Sequence, residues 1–235
     1  MDGGKTDEAL TLFDIALGLD PTATDALLHR ANLYMLQQNV KEAKLDLDRC
    51  LELRPDNILA RLRLATILMA SEDLDGAKKC LETAQKIEPN SSEVHSYLGE
   101  LLFAQGDFAG AKAEFDRAIK CDASNPSPYV NAALVILNTA GMNGGPPVVS
   151  DAMNLFEKAV EVDPQFQQAY LHLGQLKLSM ATTLSAAREV VLLYDKALEY
   201  CRAAEELKDI VSMRILTVAQ IEAARLLKME SLAMT

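Results

Sequence analysis

The chain has 235 residues, of which 49% are hydrophobic and 24% charged, and it carries a formal net charge of −11. That apolar share is enough for a packed core and excludes an intrinsically disordered chain. The acidic balance excludes nucleic acid and anionic lipid as ligands, since both require a basic face; it suits a cationic partner, or serves only to keep an extended scaffold dissolved.

Taken in order, the chain repeats itself every 34 residues. The first amphipathic segment, Ala9 to Leu19, carries Ala9, Phe13 and Ala16 and then meets Pro21. The same order of small, large, small and proline returns as Ala43, Leu47, Cys50, Pro55 and as Ala77, Leu81, Ala84, Pro89. Ala111, Phe115 and Ala118 continue it. Small residues let two helices approach closely, the large residue fills the space toward a neighbouring pair, and proline stops the helix. Between these segments lie others with their own register: Leu27, Arg30, Ala31, Tyr34, then Arg61, Leu64, Ala65, Leu68, then His95, Leu98, Gly99, Leu102. Tyr129, Ala132, Ala133, Ile136 and then Tyr170, Leu173, Gly174 complete the set. Many positions agree in one register, so the spacing predicts helix pairs stacked as a solenoid.

Two places break the period. Seven extra residues around Asn138 to Pro147 predict a Gly/Pro loop over 139–148, after which Ala152, Phe156, Ala159 and Pro164 resume the second-helix pattern. About four extra residues near Ala181 to Ser185 precede Val190, Tyr194 and Ala197. A last amphipathic segment over 205–229 is expected to close the array. The opening segment has no first helix before it, which leads us to expect a piece of a longer chain or a covered face.

These positions are those of the tetratricopeptide repeat, which the chain resembles over nearly its whole length. The fold class expected is all-α, a right-handed α-α superhelix made of a half repeat, five helix pairs and a C-terminal capping helix. It forms one solenoid domain, 1–235, with repeats near 6–23, 24–57, 58–91, 92–125, 126–166 and 167–203. The resemblance implies that first helices line a concave groove. The residues it places there are Leu28, His29 and Asn32, then Leu62, Arg63 and Thr66, then Tyr97, Glu100 and Phe103, then Asn131 and Leu134, and last His172 and Gln175. Such a groove has an apolar floor with scattered acids and amides and suits an amphipathic helix with a basic face. The Lys/Asn clamp with which some tetratricopeptide proteins grip a chaperone's C-terminal carboxylate is absent, because the lysine position reads Leu28, Leu62, Ser96, Val130 and Leu171.

Three stretches narrow the resemblance: 25–34 (DALLHRANLY), 59–65 (LARLRLA) and 125–133 (NPSPYVNAA). With Leu193 to Glu199 and the long last helix, they are similar to the C-terminal domain of the 70-kDa receptor subunits of the outer-mitochondrial-membrane translocase. That resemblance implies mitochondrial precursor proteins or presequence-like peptides as partners, with other translocase subunits also possible. It implies a location on the cytosolic face of the outer membrane, with the membrane anchor and clamp supplied by other parts of the full-length protein. A generic scaffold, co-chaperone or assembly factor for a folded partner stays open, as does a regulatory segment of an enzyme.

Nothing in the sequence points to catalysis, a metal or a cofactor. His29, His95 and His172 fall in different repeats, and no Gly-rich phosphate loop precedes a helix. Cys50, Cys80, Cys121 and Cys201 have neither metal nor redox spacing and are expected as small buried thiols. No run approaches the ~18 apolar residues of a membrane span, and Met1 to Lys5 has no signal-peptide core.

Overall fold

The computed structural model describes residues 3–140, 146–202 and 204–226. Among them are twelve helices. They are α1 (Gly3–Leu19), α2 (Thr24–Leu36), α3 (Val40–Leu53), α4 (Ile58–Ala70), α5 (Leu74–Ile87) and α6 (Ser92–Ala104), followed by α7 (Phe108–Cys121), α8 (Ser127–Ala140), α9 (Pro146–Val162), α10 (Gln167–Met180), α11 (Leu184–Tyr200) and α12 (Ala204–Leu226). The all-α class and the order of half repeat, helix pairs and closing helix are as the period predicts. The chain divides into two compact units, Met1–Asp107 and Phe108–Thr235.

In unit 1 each helix packs on the next, and α4 also meets α6. The small residues that define the period are sealed: Ala31, Ala43, Ala65, Ala77 and Ala84 are all fully buried. Leu47 and Leu81, the large residues between them, are fully buried as well and fill the two cores of this unit. An ion cluster ties its first three helices. Arg30 on α2 donates two hydrogen bonds to Asp46 on α3, Nε to Oδ2 at 2.8 Å and Nη2 to Oδ1 at 2.6 Å, and one from Nη1 to Asp14 on α1 at 2.7 Å.

The turns within pairs also repeat. Gln38, Glu72 and Gly106 occupy the same step of the period with φ of 59°, 61° and 80°. The amide just beyond each reaches back over the helix end: Asn39 N to Tyr34 O, Asp73 N to Leu68 O and Asp107 N to Leu102 O, at 2.8, 2.9 and 2.9 Å. This is a left-handed helix stop, which only Gly106 adopts without steric cost.

Between pairs, a side chain on four first helices, α4, α6, α8 and α10, ties back to the turn before it. Arg61 Nε donates to Pro55 O at 3.1 Å and His95 Nε2 to Pro89 O at 2.9 Å. Tyr129 Oη and Tyr170 Oη donate to Ala123 O and Pro164 O, at 3.2 and 2.9 Å. Three different residue types thus do one job at one position, each bond contributing about 1 kcal/mol.

In unit 2, α7 through α12 pack in sequence, with additional contacts of α8 on α10 and of α10 on α12. Tyr194, Phe115 and Phe156 are its largest sealed side chains. The predicted loop over 139–148 is shorter at both ends: Thr139 and Ala140 complete α8, and Pro146 to Val148 belong to α9. Prolines fit there because first-turn amides lack intrahelical acceptors in any case. The centre of that loop, 141–145, lies outside the described residues, as does the end of the closing segment, 227–229. The surplus in the last pair does not form a long loop either. Thr183 caps α11 by accepting from Ala186 N at 3.2 Å, and the extra residues lengthen that helix to 17. The cysteines are free thiols, but they are not uniformly buried: Cys121, at the end of α7, is exposed.

Gly174 on α10 faces Tyr194 on α11 so closely that a Cβ there would lie 2.7 Å from Tyr194 Cε1. Gly174→Ala is therefore expected to destabilise unit 2 by about 1–3 kcal/mol in a urea titration. Tyr194 Oη is buried with no partner, and burial pushes its phenol up to about 12. Tyr194→Phe keeps the ring and deletes the unpaired hydroxyl, so the same titration should show unchanged stability or a gain of about 1 kcal/mol.

Candidate functional site

The residues expected to line a groove sit on the first helices, and the structure sorts them by depth. Leu28 and Leu62 are core residues at 6% and 1% exposure. They were expected on the groove floor; their side chains instead pack inside unit 1, so a ligand meets the layer above them. Asn32, Arg63, Thr66, Tyr97 and Phe103 are half-buried in that unit, and His29 and Glu100 are exposed. In unit 2, Asn131, Leu134 and His172 are half-buried and Gln175 is exposed.

One pair of these residues meets across two helices. Arg63 on α4 donates from Nη1 to Tyr97 Oη on α6 at 3.2 Å. They are one period apart, so the contact is a rung between neighbouring first helices. Arg63 Nε is buried without an acceptor, which leaves the guanidinium under-satisfied. Thr66 spends its hydroxyl on its own helix, donating to Leu62 O at 3.1 Å.

The two histidines of the set share one setting. His29 stacks on Phe13 with ring centroids 6.2 Å apart, and His172 stacks on Phe156 at 5.7 Å. In each case the phenylalanine belongs to the preceding second helix and lies 16 residues earlier. By their place in the period Phe13 and Phe156 are core fillers. The common spacing is the signal that marks them as supports for the groove-side rings. His172 Nδ1 also lies 3.2 Å from Gln175 Oε1, so the carboxamide oxygen fixes the proton on that nitrogen.

Burial holds the His172 pKa below its ordinary value, opposed in part by the Gln175 bond. A lowered folded value means that the unfolded chain binds more protons between the two values, so stability rises with pH across that window. The contribution is complete above the ordinary imidazole range and is lost as pH falls through the lowered one. Melting temperature should therefore drop between about pH 7.5 and 5.5, a range in which carboxylates stay ionised. His172→Phe keeps the stack on Phe156 and should flatten that part of the profile.

Among the described residues no group of His, Cys, Asp or Glu is arranged to hold a metal ion. No helix among them is long and apolar enough to cross a membrane.

The model of the tetratricopeptide repeat-like domain matches residues 2–139. No curated protein matches the chain in sequence. Among solved structures, yeast Tom70 is similar at 26% identity with a TM-score of 0.75. The match covers 92% of this chain but only 44% of Tom70, so this chain spans less than half of that protein. A tetratricopeptide repeat protein from Parabacteroides merdae is similar in fold at 18% identity and a TM-score of 0.73, over 90% of this chain and 78% of its own. The protein YrrB, described as having an unusual peptide-binding site, is similar in fold at 19% identity and a TM-score of 0.50, over 80% and 91%.

Proposed function

The chain belongs to the tetratricopeptide repeat-like domain family, and from that premise we propose that it is a non-catalytic receptor module. Its first-helix faces bind a basic, amphipathic polypeptide segment. The observation that carries this reading is the row of polar and aromatic side chains left outside the core at one position of successive first helices. His29, Arg63 and Tyr97 form it in unit 1, and Asn131 and His172 continue the position in unit 2. These side chains are held in place yet only partly covered, and their common register suits a segment lying across successive first helices. Glu100, exposed beside Tyr97 and Phe103, and the net charge of −11 favour a basic client. The likeness to yeast Tom70 over 92% of the chain supports a client of the mitochondrial precursor or presequence type. On this reading the module works at the cytosolic face of the mitochondrial outer membrane.

The test is a titration with a fluorescent basic amphipathic peptide, read by anisotropy. Tyr97→Ala should weaken binding by about 5–30-fold, the range of a moderate hot spot. Glu100→Lys should weaken it further as salt is lowered. Leu62→Asp is not a useful variant, because it places a charge in the core. A second reading, a scaffold for a folded partner, draws on the exposed Leu207, Ile215 and Leu216 of α12. It would replace the first if Tyr97→Ala and Glu100→Lys had no effect while Ile215→Asp abolished capture of the client.

A further inference from the structure

A cleft of about 540 Å³ opens in unit 2 where the turn between α9 and α10 lies beside the junction of α11 and α12. Its volume falls within the range of sites for small ligands, about 300–1,000 Å³. It can take one side chain with its flanking backbone. It is lined by Asp163 and Phe166 from the turn, Gln167 from the start of α10, Tyr200 from the end of α11, Arg202 from the junction and Glu206 from the first turn of α12.

The lining is well fixed. Asp163 N donates to Ala159 O, Asp163 O accepts from Phe166 N, and Asp163 Oδ1 accepts from Gln165 N, so the turn is held at three points. The Tyr200 ring packs 6.2 Å from that of Tyr170 and carries Lys196 Nζ 5.6 Å from its centroid.

Three features of the cleft ask for different chemistry. The carboxylates of Asp163 and Glu206 favour a cation. The rings of Phe166 and Tyr200 favour an aliphatic stem with a positive head. The third feature is a set of donors without acceptors. Gln167 is only 9% exposed, and its Nε2 has no hydrogen-bond partner. Phe166, the residue at the N-terminal boundary of α10, provides no side-chain cap; Ala169 N reaches Phe166 O at 3.1 Å, and the amides of Gln167 and Gln168 before it get no help from that side chain. Those donors seek a carbonyl oxygen. A basic amino-acid residue within a polypeptide supplies all three groups together. A free anion would satisfy the donors but would meet Asp163 and Glu206, with the exposed Arg202 to offset them, since the Lys196 ammonium beside Tyr200 is already paired with Glu199 at 2.8 Å.

We infer that this cleft is a docking pocket for one arginine or lysine residue of an extended polypeptide segment. The inference rests on the reading of a basic client and adds a second anchor for it, apart from the first-helix row.

The probe is N-acetyl-arginine methylamide added to the whole chain, followed through the amide NMR shifts of Gln167 and Gln168. Its neutral counterpart, N-acetyl-citrulline methylamide, and acetate serve as the other arms. The arginine probe should shift both amides and bind at least about five-fold more tightly than the citrulline one. Glu206→Gln should weaken it about two- to five-fold, while Arg202→Gln should leave it unchanged or tighten it. Both replacements are at the rim, and an unchanged melting temperature verifies the fold. Equal binding of arginine and citrulline probes overturns the inference. So does a response to acetate that Arg202→Gln removes, which would make the cleft an anion site. The probe is too short to report on the first-helix row. If it binds here while Tyr97→Ala and Glu100→Lys leave the long peptide unaffected, the row assignment fails and the pocket stands; the reverse pattern fails the pocket alone.

Discussion

Helix axes can approach closely only where the side chains between them are small, and everything else in each unit follows from that approach. Ala43, Ala77, Ala152 and Ala159 have no accessible surface, and Gly174 leaves room for the ring of Tyr194 where even a methyl group would clash. Once the small residues bring a pair together, the large ones have a defined space to fill. Leu47, Leu81, Phe156 and Tyr194 are then sealed at the same step of their helices. Burial of that kind stabilises by about 1.5–3 kcal/mol per large side chain, and it recurs at every step because the spacing does.

A packed repeat also decides what is left outside. A first helix is covered on the faces that meet its own partner and its neighbour, and one strip remains. In unit 1 the strip carries His29, Arg63 and Tyr97, and in unit 2 it carries Asn131 and His172. Its members are held in place. Phe13 and Phe156 beneath it stack on the two histidines, and within the strip Tyr97 accepts from the Arg63 guanidinium. A strip whose members are already oriented loses less conformational freedom when a segment binds. The cleft beside Gln167 is of a different kind, built from turns and helix ends rather than a helix face.

The turns show how one backbone requirement accepts different side chains. A left-handed stop is needed at Gln38, Glu72 and Gly106, and two of the three are met without glycine. The tie across the proline turn is made by arginine, histidine and tyrosine in successive repeats. Such positions look unrelated in sequence because the conserved quantity is a donor reaching a carbonyl, not a residue type.

The period, the helix count and the core are legible from Ala9 to Ala197, because small, large and proline positions recur at fixed distances and those distances are set by local helix geometry. The absence of the chaperone-tail lysine and the candidate strip along the first helices are legible for the same reason. Depth is not. Leu28 and Leu62 share the strip's numbering, yet their side chains turn into the core, since a step of one residue on a helix moves a side chain by about 100°. Nor does a linear pattern foresee that Pro146 starts a helix, that the surplus residues near Ala181 lengthen α11, or that Asp163, Gln167, Tyr200 and Glu206 line one cleft. Those outcomes depend on which atoms meet across the chain, and contacts between residues far apart in sequence exist only once the helices have packed.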